Sequence, residues 1–209
     1  MKRKIEYRRY KRQDKKELTR ILTEQIYNNF FEKEKDAQNY SRFILNRVIG
    51  ICKYKKVAVV GEKIVGAIFG IKKDKSHFLS NLKQMICYSY LKIRKKNREA
   101  LKALLLLDQM EQELLNRNNV DNKKLIALFL LEKRYEKAEV QEVLLNEWES
   151  VVGAQKSEGT WIVVNGRAES EFWDKYLFQK VDESSEMIQP KVQRFRFYKT
   201  LYRGKKSTD

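Results

Sequence analysis

The side chains that most often carry nucleophilic or metal chemistry are scarce in this sequence of 209 residues. Its two cysteines, Cys52 and Cys87, lie far apart, and His77 is its only histidine. Zinc sites need closely spaced Cys and His ligands, and a nucleophilic triad needs a base beside the nucleophile. The sequence therefore argues against a metal site and a histidine-based triad. Both cysteines are expected to be packing residues in a reducing compartment, and His77 a surface or loop residue.

Positive charge is the second chemical feature, because 45 Lys and Arg against 28 Asp and Glu give a net charge of +17. Basic clusters lie at residues 2–16, 72–75, 92–98 and 191–206. Such a surface attracts nucleic acid, membrane headgroups or phosphorylated small molecules, and it is equally typical of a solvated, lysine-rich protein. No helix-turn-helix, RNA-binding aromatic signature or zinc module is recognisable, so a nucleic-acid-binding accessory role is an alternative that the motifs do not favour.

Length and hydropathy predict one soluble, cytoplasmic domain. A chain of this length corresponds to one domain, and 42% hydrophobic residues argue against disorder. The densest aliphatic run covers residues 103–107, far short of the roughly 18 apolar residues that span a bilayer. Glu6 and Arg8 interrupt any apolar region behind the basic start, so a signal peptide is not expected.

The N-terminal third predicts a strand, two helices and a hairpin. Ile5, Tyr7 and Arg9 alternate with charged residues in a first strand, and Asp14 with Glu17 resembles a capping box that opens a helix. The apolar face of that helix is predicted to comprise Leu18, Ile21, Leu22, Ile26 and Phe30. A second helix from about Asn39 is predicted to present Tyr40, Phe43, Ile44, Val48 and Cys52. A hairpin follows, with strands at 57–60 and 64–71 around a turn at 61–63.

The remainder predicts a helical insertion followed by alternating strands and helices. Residues 72–124 read as two or three helices inserted in the domain, ended by an Asn-rich turn at 116–122. The later elements are predicted as strands at 125–131 and 161–164, a helix from Val140 to Val152, a short helix at 169–176 and one or two final strands, the last at 192–201. This order predicts a single domain, residues 1–209, with a mixed α/β sheet covered by helices on its faces.

Three segments of this sequence resemble the GNAT superfamily of acyl-CoA-dependent N-acetyltransferases. The first is the Arg-rich opening strand followed by Asp14 and an amphipathic helix, and the second is the hairpin with Gly66 after its turn. The third resembles the family pattern N-x-x-A-x-x-F-Y-E-K-x-G-F, with one extra residue before the aromatic pair. Its residues here are Asn165, Ala168, Phe172, Trp173 and Phe178.

The resemblance implies where acetyl-CoA would bind. In the family the central strand, here residues 125–131, diverges from its neighbour and pairs with the thioester arm. The pyrophosphate lies at the start of the next helix, where backbone N–H groups and the helix dipole favour anions. The binding residues implied here are Phe129, Leu130, Leu131, Lys133, Arg134, Lys137, Ala138, Glu139, Val140, Gln141, Asn165 and Trp173.

The phosphate-binding loop departs from the family pattern because residues 135–141 contain no glycine. Glu136 and Glu139 also lie where phosphates are expected. A carboxylate about 4 Å from a phosphate costs on the order of 4 kcal/mol at an effective dielectric near 20. We expect both glutamates to point away and to favour the first helical turn electrostatically, while Arg134 and Lys137 supply positive charge.

The proton chemistry and the acceptor site are less defined. Trp173 replaces the tyrosine that protonates the leaving thiolate in many family members, and Tyr176, one helical turn on, is either a substitute or a core tyrosine. Aromatic residues of the insertion, Phe78, Tyr88 and Tyr90, either wall the acceptor site or pack the insertion, and residues 92–98 are candidates to hold an anionic part of the acceptor.

Three functions follow as hypotheses. The first is an N-acyltransferase in which an amine attacks acetyl-CoA or another acyl-CoA directly. The second is a degenerate protein of the same fold that binds or regulates without catalysis. The third is the nucleic-acid-binding accessory protein.

Overall fold

A computed structural model describes residues 4–71, 97–120, 124–132, 135, 138–152, 160–165, 173, 178–188 and 195–204. The described strands are β1 (Ile5–Arg9), β2 (Tyr54–Val60), β3 (Lys63–Gly70), β4 (Leu125–Leu131), β5 (Trp161–Asn165), β6 (Phe178–Ile188) and β7 (Phe195–Gly204). The described α-helices are α1 (Lys15–Leu22), α2 (Glu34–Ile51), α3 (Arg98–Arg117) and α4 (Ala138–Val152). A 3-10 turn, Arg12–Asp14, precedes α1, and a π-helical turn, Thr23–Tyr27, follows it.

The strands form one mixed sheet in the order β1-β2-β3-β4-β5-β7-β6. Neighbouring strands are antiparallel except β4 and β5, which are parallel and joined through α4. The β2–β3 turn contains Gly61 with φ of +63°, a conformation that glycine adopts without steric cost. The predicted mixed α/β sheet is confirmed.

Two hydrophobic layers cover the sheet because its central strands carry apolar residues on both faces. On one face α4 packs Leu144 and Trp148 against β2 and β3, with Val65 and Ile68 beneath them. On the other face α1 and α2 bury a second cluster that includes Leu18, Leu22, Leu45, Val57 and Phe69. The sheet is therefore held between α4 and the α1–α2 pair.

The insertion contributes α3, which packs on α2 rather than on the sheet centre. Its buried stripe includes Leu101, Leu104 and Leu107, in one cluster with Phe30 and Tyr40. The Asn-rich turn after it is confirmed, since α3 ends at Arg117 and Asn119 has φ of +49°. The predicted insertion helices within 72–96 lie outside the described residues.

Several predicted elements differ at their ends. The second helix begins at Glu34 instead of Asn39, because Asp36 and Ala37 are already buried and two acidic residues favour the first turn. The final strand, Phe195–Gly204, continues to Gly204 instead of ending at Leu201, and residues 192–194 lie outside the described residues. One or two strands are predicted at the end of the chain and two are present, with β6 beginning at Phe178, the last residue of the family-like motif. The predicted short helix at 169–176 is described only at Trp173, which is helical.

The predicted capping role of Asp14 is wrong. Asp14 lies at the N-cap of α1 but makes no side-chain capping bond there. Its buried carboxylate instead accepts two hydrogen bonds from the Arg8 guanidinium, at 2.8 and 2.9 Å, and one from the Lys11 backbone N–H at 2.6 Å. It therefore joins β1 to the start of α1 through an ion pair.

Candidate functional site

The parallel strands β4 and β5 separate after two paired positions. Leu125 pairs with Trp161 and Ile126 with Ile162, and no further pair joins the described residues of these strands. Each strand nevertheless continues, since Leu131 still pairs with Gly66 of β3 and Asn165 with Lys199 of β7. A wedge therefore opens between β4 and β5 toward their carboxyl ends, and the expected divergence of the central strand is confirmed.

A β-bulge explains where β4 leaves its neighbour. Phe69 pairs with Leu128 but Gly70 pairs with Ile126, so Ala127 is an extra residue in the register. A bulge bends its strand and increases the local twist. The bend therefore begins at the residue that follows the last β4–β5 pair.

The wedge side of β4 carries backbone polar groups. The Glu132 N–H donates to the Val65 carbonyl at 2.9 Å, so these two residues form a hydrogen-bonded pair of the β3–β4 ladder. Bonding alternates along an antiparallel strand, which directs the backbone groups of Phe129 and Leu131 away from β3 and toward the wedge. The Gln25 side-chain amide donates to the Leu131 carbonyl, so the π-helical turn reaches this edge.

A cavity of about 760 Å³ begins at the wedge. Ligand sites commonly measure about 300–1,000 Å³. Its wedge end is lined by Ala127, Phe129, Leu131, Gln141, Val164 and Trp173. Its other end lies against α2 and α3, on the opposite face of the sheet from α4. A molecule in this cavity would contact β4 along most of its length.

Glu139, one of the two glutamates expected near the phosphates, lies at the start of α4 and outside the lining of the cavity. Glu139 is exposed, and together with Glu147 it adds to the effect of burial in raising the pKa of Tyr7 on β1. Gln141 lines the cavity and Val140 is fully buried in the core, whereas Glu139 is not a lining residue of the cavity. Tyr135 is partly buried against that core. The positions of Lys133, Arg134, Glu136 and Lys137 lie outside the described residues, and nothing is described of the side chain of Ala138.

Trp173, from the third family-like segment, lies at the wedge end of the cavity. Its buried ring contacts Phe129 edge to face, with centroids 5.2 Å apart, and Phe178 at 4.9 Å. Asn165 lies at the end of β5, on the far side of the wedge from Leu131. Leu130 also lines the cavity, but its side chain packs on the α1–α2 face. Tyr176 lies outside the described residues.

The remaining candidates play no described part in the cavity. Cys52 is buried, and burial raises the pKa of its thiol to about 12, which confirms a packing residue. Cys87, His77, Phe78, Tyr88, Tyr90 and residues 92–96 lie outside the described residues. Arg98 is exposed at the start of α3, and Asn97 before it is buried.

The far end of the cavity contains charged residues that the sequence analysis did not single out. On α3, Asp108 accepts a hydrogen bond from Arg47 at 3.3 Å and Glu111 accepts one from Lys199 at 2.6 Å. Tyr27, from the π-helical turn, lines the same region. No sequence signal marks these residues, because Asp108 and Glu111 resemble the solvated face of an amphipathic helix.

None of the helices in the described ranges combines the length and apolar character needed to cross a bilayer. In the same part of the chain, no three His, Cys, Asp or Glu side chains gather as a metal site would require.

Sequence comparison and structural comparison give different results. No family sequence model matches the chain, and no curated protein matches it in sequence. Solved structures do match. Arabidopsis thaliana NAA60 in complex with a bisubstrate analogue shows 16% identity and a TM-score of 0.51, covering 98% of this chain and 100% of that one.

Two further structures match over nearly their whole length. The Drosophila melanogaster polyamine N-acetyltransferase, which catalyses formation of N-acetylagmatine, has 12% identity and a TM-score of 0.55, covering 95% of this chain and 99% of its own. A GCN5-related N-acetyltransferase from Rhodopseudomonas palustris has 11% identity and a TM-score of 0.51, covering 94% and 93%. With its strand order and its diverging β4 and β5, the chain has the fold of the GNAT superfamily of N-acetyltransferases.

Proposed function

We propose that this protein is an N-acyltransferase that moves an acetyl or other acyl group from acyl-CoA to an amine. The observation that carries the proposal is the wedge between β4 and β5, with the backbone of Leu131 directed into it. An extended amide-containing arm can hydrogen-bond such a strand as an added strand would. The solved neighbours support this chemistry, since they are N-acetyltransferases and one holds a bisubstrate analogue.

The start of α4 is the proposed phosphate site. Backbone N–H groups at a helix N-terminus bind anions without a specific side chain. Glu139 is exposed and does not line the cavity, so its charge opposes a phosphate less than one directed into the wedge. Arg134 and Lys137 are proposed to supply the positive charge that the missing glycines do not.

The proposed reaction is a direct transfer. The nitrogen of a neutral amine attacks the thioester carbonyl carbon, a C–N bond forms and the C–S bond breaks. The attacking nitrogen loses a proton to water, and the CoA thiolate takes up a proton. Wedge-facing N–H groups of β4 are positioned to stabilise charge on the carbonyl oxygen. Tyr176 is the proposed proton donor to the thiolate, and Trp173 packs beside the arm.

The location proposed with this activity is the cytoplasm. Two cysteines that are far apart in sequence, one of them buried, give no pattern of a disulfide framework.

Acetyl-CoA binding tests the proposal, with a matched pair of variants at Leu131. Leu131→Pro removes the N–H that faces the wedge but leaves the β3 ladder, which uses Leu130 and Glu132. Leu131→Ala keeps that N–H and is the control. Calorimetry should show micromolar binding for the wild type, a weakening of about tenfold or more for Leu131→Pro, and a smaller change for Leu131→Ala. No binding to the wild type would overturn the proposal.

A second candidate is a protein that binds acyl-CoA without transferring the group, favoured by the glycine-free loop at 135–141. Release of free CoA thiol in the presence of an amine panel separates the two. Binding with thiol release supports the enzyme. Binding without release for any amine supports the second candidate.

A further inference from the structure

The far end of the cavity combines aromatic rings with carboxylates. Tyr27, Phe30 and Tyr40 line it from the π-helical turn and α2, with the Tyr27 and Tyr40 centroids 4.9 Å apart. Asp108 and Glu111 line it from α3, one helical turn apart. Aromatic rings and carboxylates both attract cations. Arg47 and Lys199 also line this end, and each is paired with one of the two carboxylates.

The two ion pairs in this region differ in strength. Lys199 is only 6% exposed and lies 2.6 Å from Glu111, so this pair fastens α3 to β7. Arg47 and Asp108 are each 41% exposed and meet at 3.3 Å through one contact. Exposed pairs of this kind contribute little to the stability of a protein. Asp108 can therefore exchange Arg47 for a cation of a ligand at little cost.

The local electrostatics agree with that exchange. Burial raises the pKa of Tyr27, and Asp108 and Glu111 raise it further against a smaller opposing effect of Arg47. Partial burial and Glu111 raise the pKa of Asp108, although Arg47 and Lys199 act to lower it. At the Tyr27 hydroxyl, the two carboxylates therefore act more strongly than Arg47 does.

We propose that this end of the cavity binds the distal cation of the acceptor, between the aromatic rings and Asp108. The acceptor class is then a diamine or polyamine, whose other amine reacts at the wedge. This inference rests on the proposed acyltransferase function for its reactive end. The binding of a second positive charge stands on the cavity itself.

Calorimetry with 1,4-diaminobutane and 1-aminobutane tests the inference on the free protein and on the protein saturated with CoA. We expect the diamine to bind at least tenfold more tightly than the monoamine. Asp108→Asn should remove that preference, whereas Glu113→Gln, an exposed carboxylate on the same helix, should leave it unchanged. Thermal melting of each variant establishes that it is folded.

The variant Arg47→Met gives a prediction of opposite sign. If Arg47 competes with the ligand for Asp108, its removal should tighten diamine binding by about threefold or more. If Arg47 instead binds an acidic acceptor, the diamine affinity should not rise. Equal affinity for the two amines, no effect of Asp108→Asn, or unchanged or weaker diamine binding by Arg47→Met would each overturn the inference.

Kinetics then distinguish failure of the inference from failure of the proposed function. With acetyl-CoA as donor, Asp108→Asn should raise KM for 1,4-diaminobutane at least tenfold and change kcat little. If acetyl-CoA does not bind but Asp108-dependent diamine binding persists, the acyltransferase proposal fails and the cation site stands. If acetyl-CoA is turned over with mono- and diamines equally well, the enzyme stands and the cation site fails.

Discussion

Replacement of Gly70 by alanine is expected to destabilise the protein strongly, because α4 presses an indole ring onto it. A Cβ at Gly70 would lie 2.0 Å from Cζ3, 2.1 Å from Cη2 and 2.6 Å from Cε3 of Trp148. Carbon atoms normally pack about 3.5–4.0 Å apart, so the ring must retreat by roughly 1.5 Å. Trp148 is fully buried, and the Tyr54 ring lies beside it at 5.2 Å between centroids. The ring has little room to move.

The size of the loss follows from opposing contributions. The backbone of Gly70 is outside the left-handed region, so alanine should lower the entropy of the unfolded chain and stabilise by about 0.4–1 kcal/mol. Overpacking costs about 1–3 kcal/mol or more, and an overlap of this size on a confined ring belongs at the upper end. We expect a net loss of about 2–3 kcal/mol in the free energy of unfolding, measured by urea denaturation.

Two other glycines are matched controls. A Cβ at Gly66 would approach flexible side-chain ends, 3.0 Å from Leu131 Cδ2 and 3.2 Å from Leu144 Cδ1, so Gly66→Ala should cost less than about 1 kcal/mol. A Cβ at Gly61 would have no atom within 4 Å, but alanine would have to adopt the φ of +63°. Gly61→Ala should therefore lower the free energy of unfolding by about 1–2 kcal/mol through backbone strain alone.

A double variant isolates the cause. Trp148→Leu removes the atoms that clash, so Gly70→Ala and Trp148→Leu together should destabilise by at least about 1 kcal/mol less than the sum of the two single changes. A loss below about 1 kcal/mol for Gly70→Ala, or additive effects in the double variant, would refute this reasoning. Because Trp148 fixes α4 over β3, Gly70→Ala is also expected to weaken acetyl-CoA binding.

Two further predictions concern Asp14 and Cys52. Burial acts to raise the pKa of Asp14, but the Arg8 guanidinium and the Lys11 N–H hold it below its usual value. Its stabilising effect is therefore complete above about pH 4 and is lost as pH falls through the folded-state pKa. Asp14→Asn should lower the free energy of unfolding by about 2–3 kcal/mol at pH 7 and by progressively less in acid. A difference in stability that does not change with pH would contradict the ion pair. In a Cys87→Ser background, Cys52 should resist iodoacetamide at pH 8 until the protein unfolds, since burial raises the pKa of its thiol to about 12. Rapid labelling of the native protein would show instead that the thiol is accessible.

The strands of the sheet that could be predicted from sequence are those with an uninterrupted run of apolar residues. The strand Leu125–Leu131 contains no polar residue, and the two hairpin strands have consecutive apolar residues on either side of the turn at Gly61. Those patterns fix which segments are buried and in what order. Divergence of β4 from β5 was expected from the family resemblance alone, and the bulge at Ala127 that produces it has no marker in the sequence.

The charged residues at the far end of the cavity could not be predicted from sequence, because each lies far along the chain from its partner. Asp108 and Arg47 are 61 residues apart in sequence, and Glu111 and Lys199 are 88 apart. Nothing local distinguishes these carboxylates from others on an amphipathic helix. Asp14 shows the same difficulty at short range, because a capping bond and an ion pair with Arg8 use the same carboxylate.

A crystal structure of the protein with CoA tests the central claim most directly. The account predicts density for the pantetheine arm between β4 and β5, beyond Ile126 and along the wedge-facing backbone of Leu131, with the phosphates near the start of α4. A complex in which β4 and β5 pair along their full length, or in which CoA lies elsewhere on the protein, would contradict it.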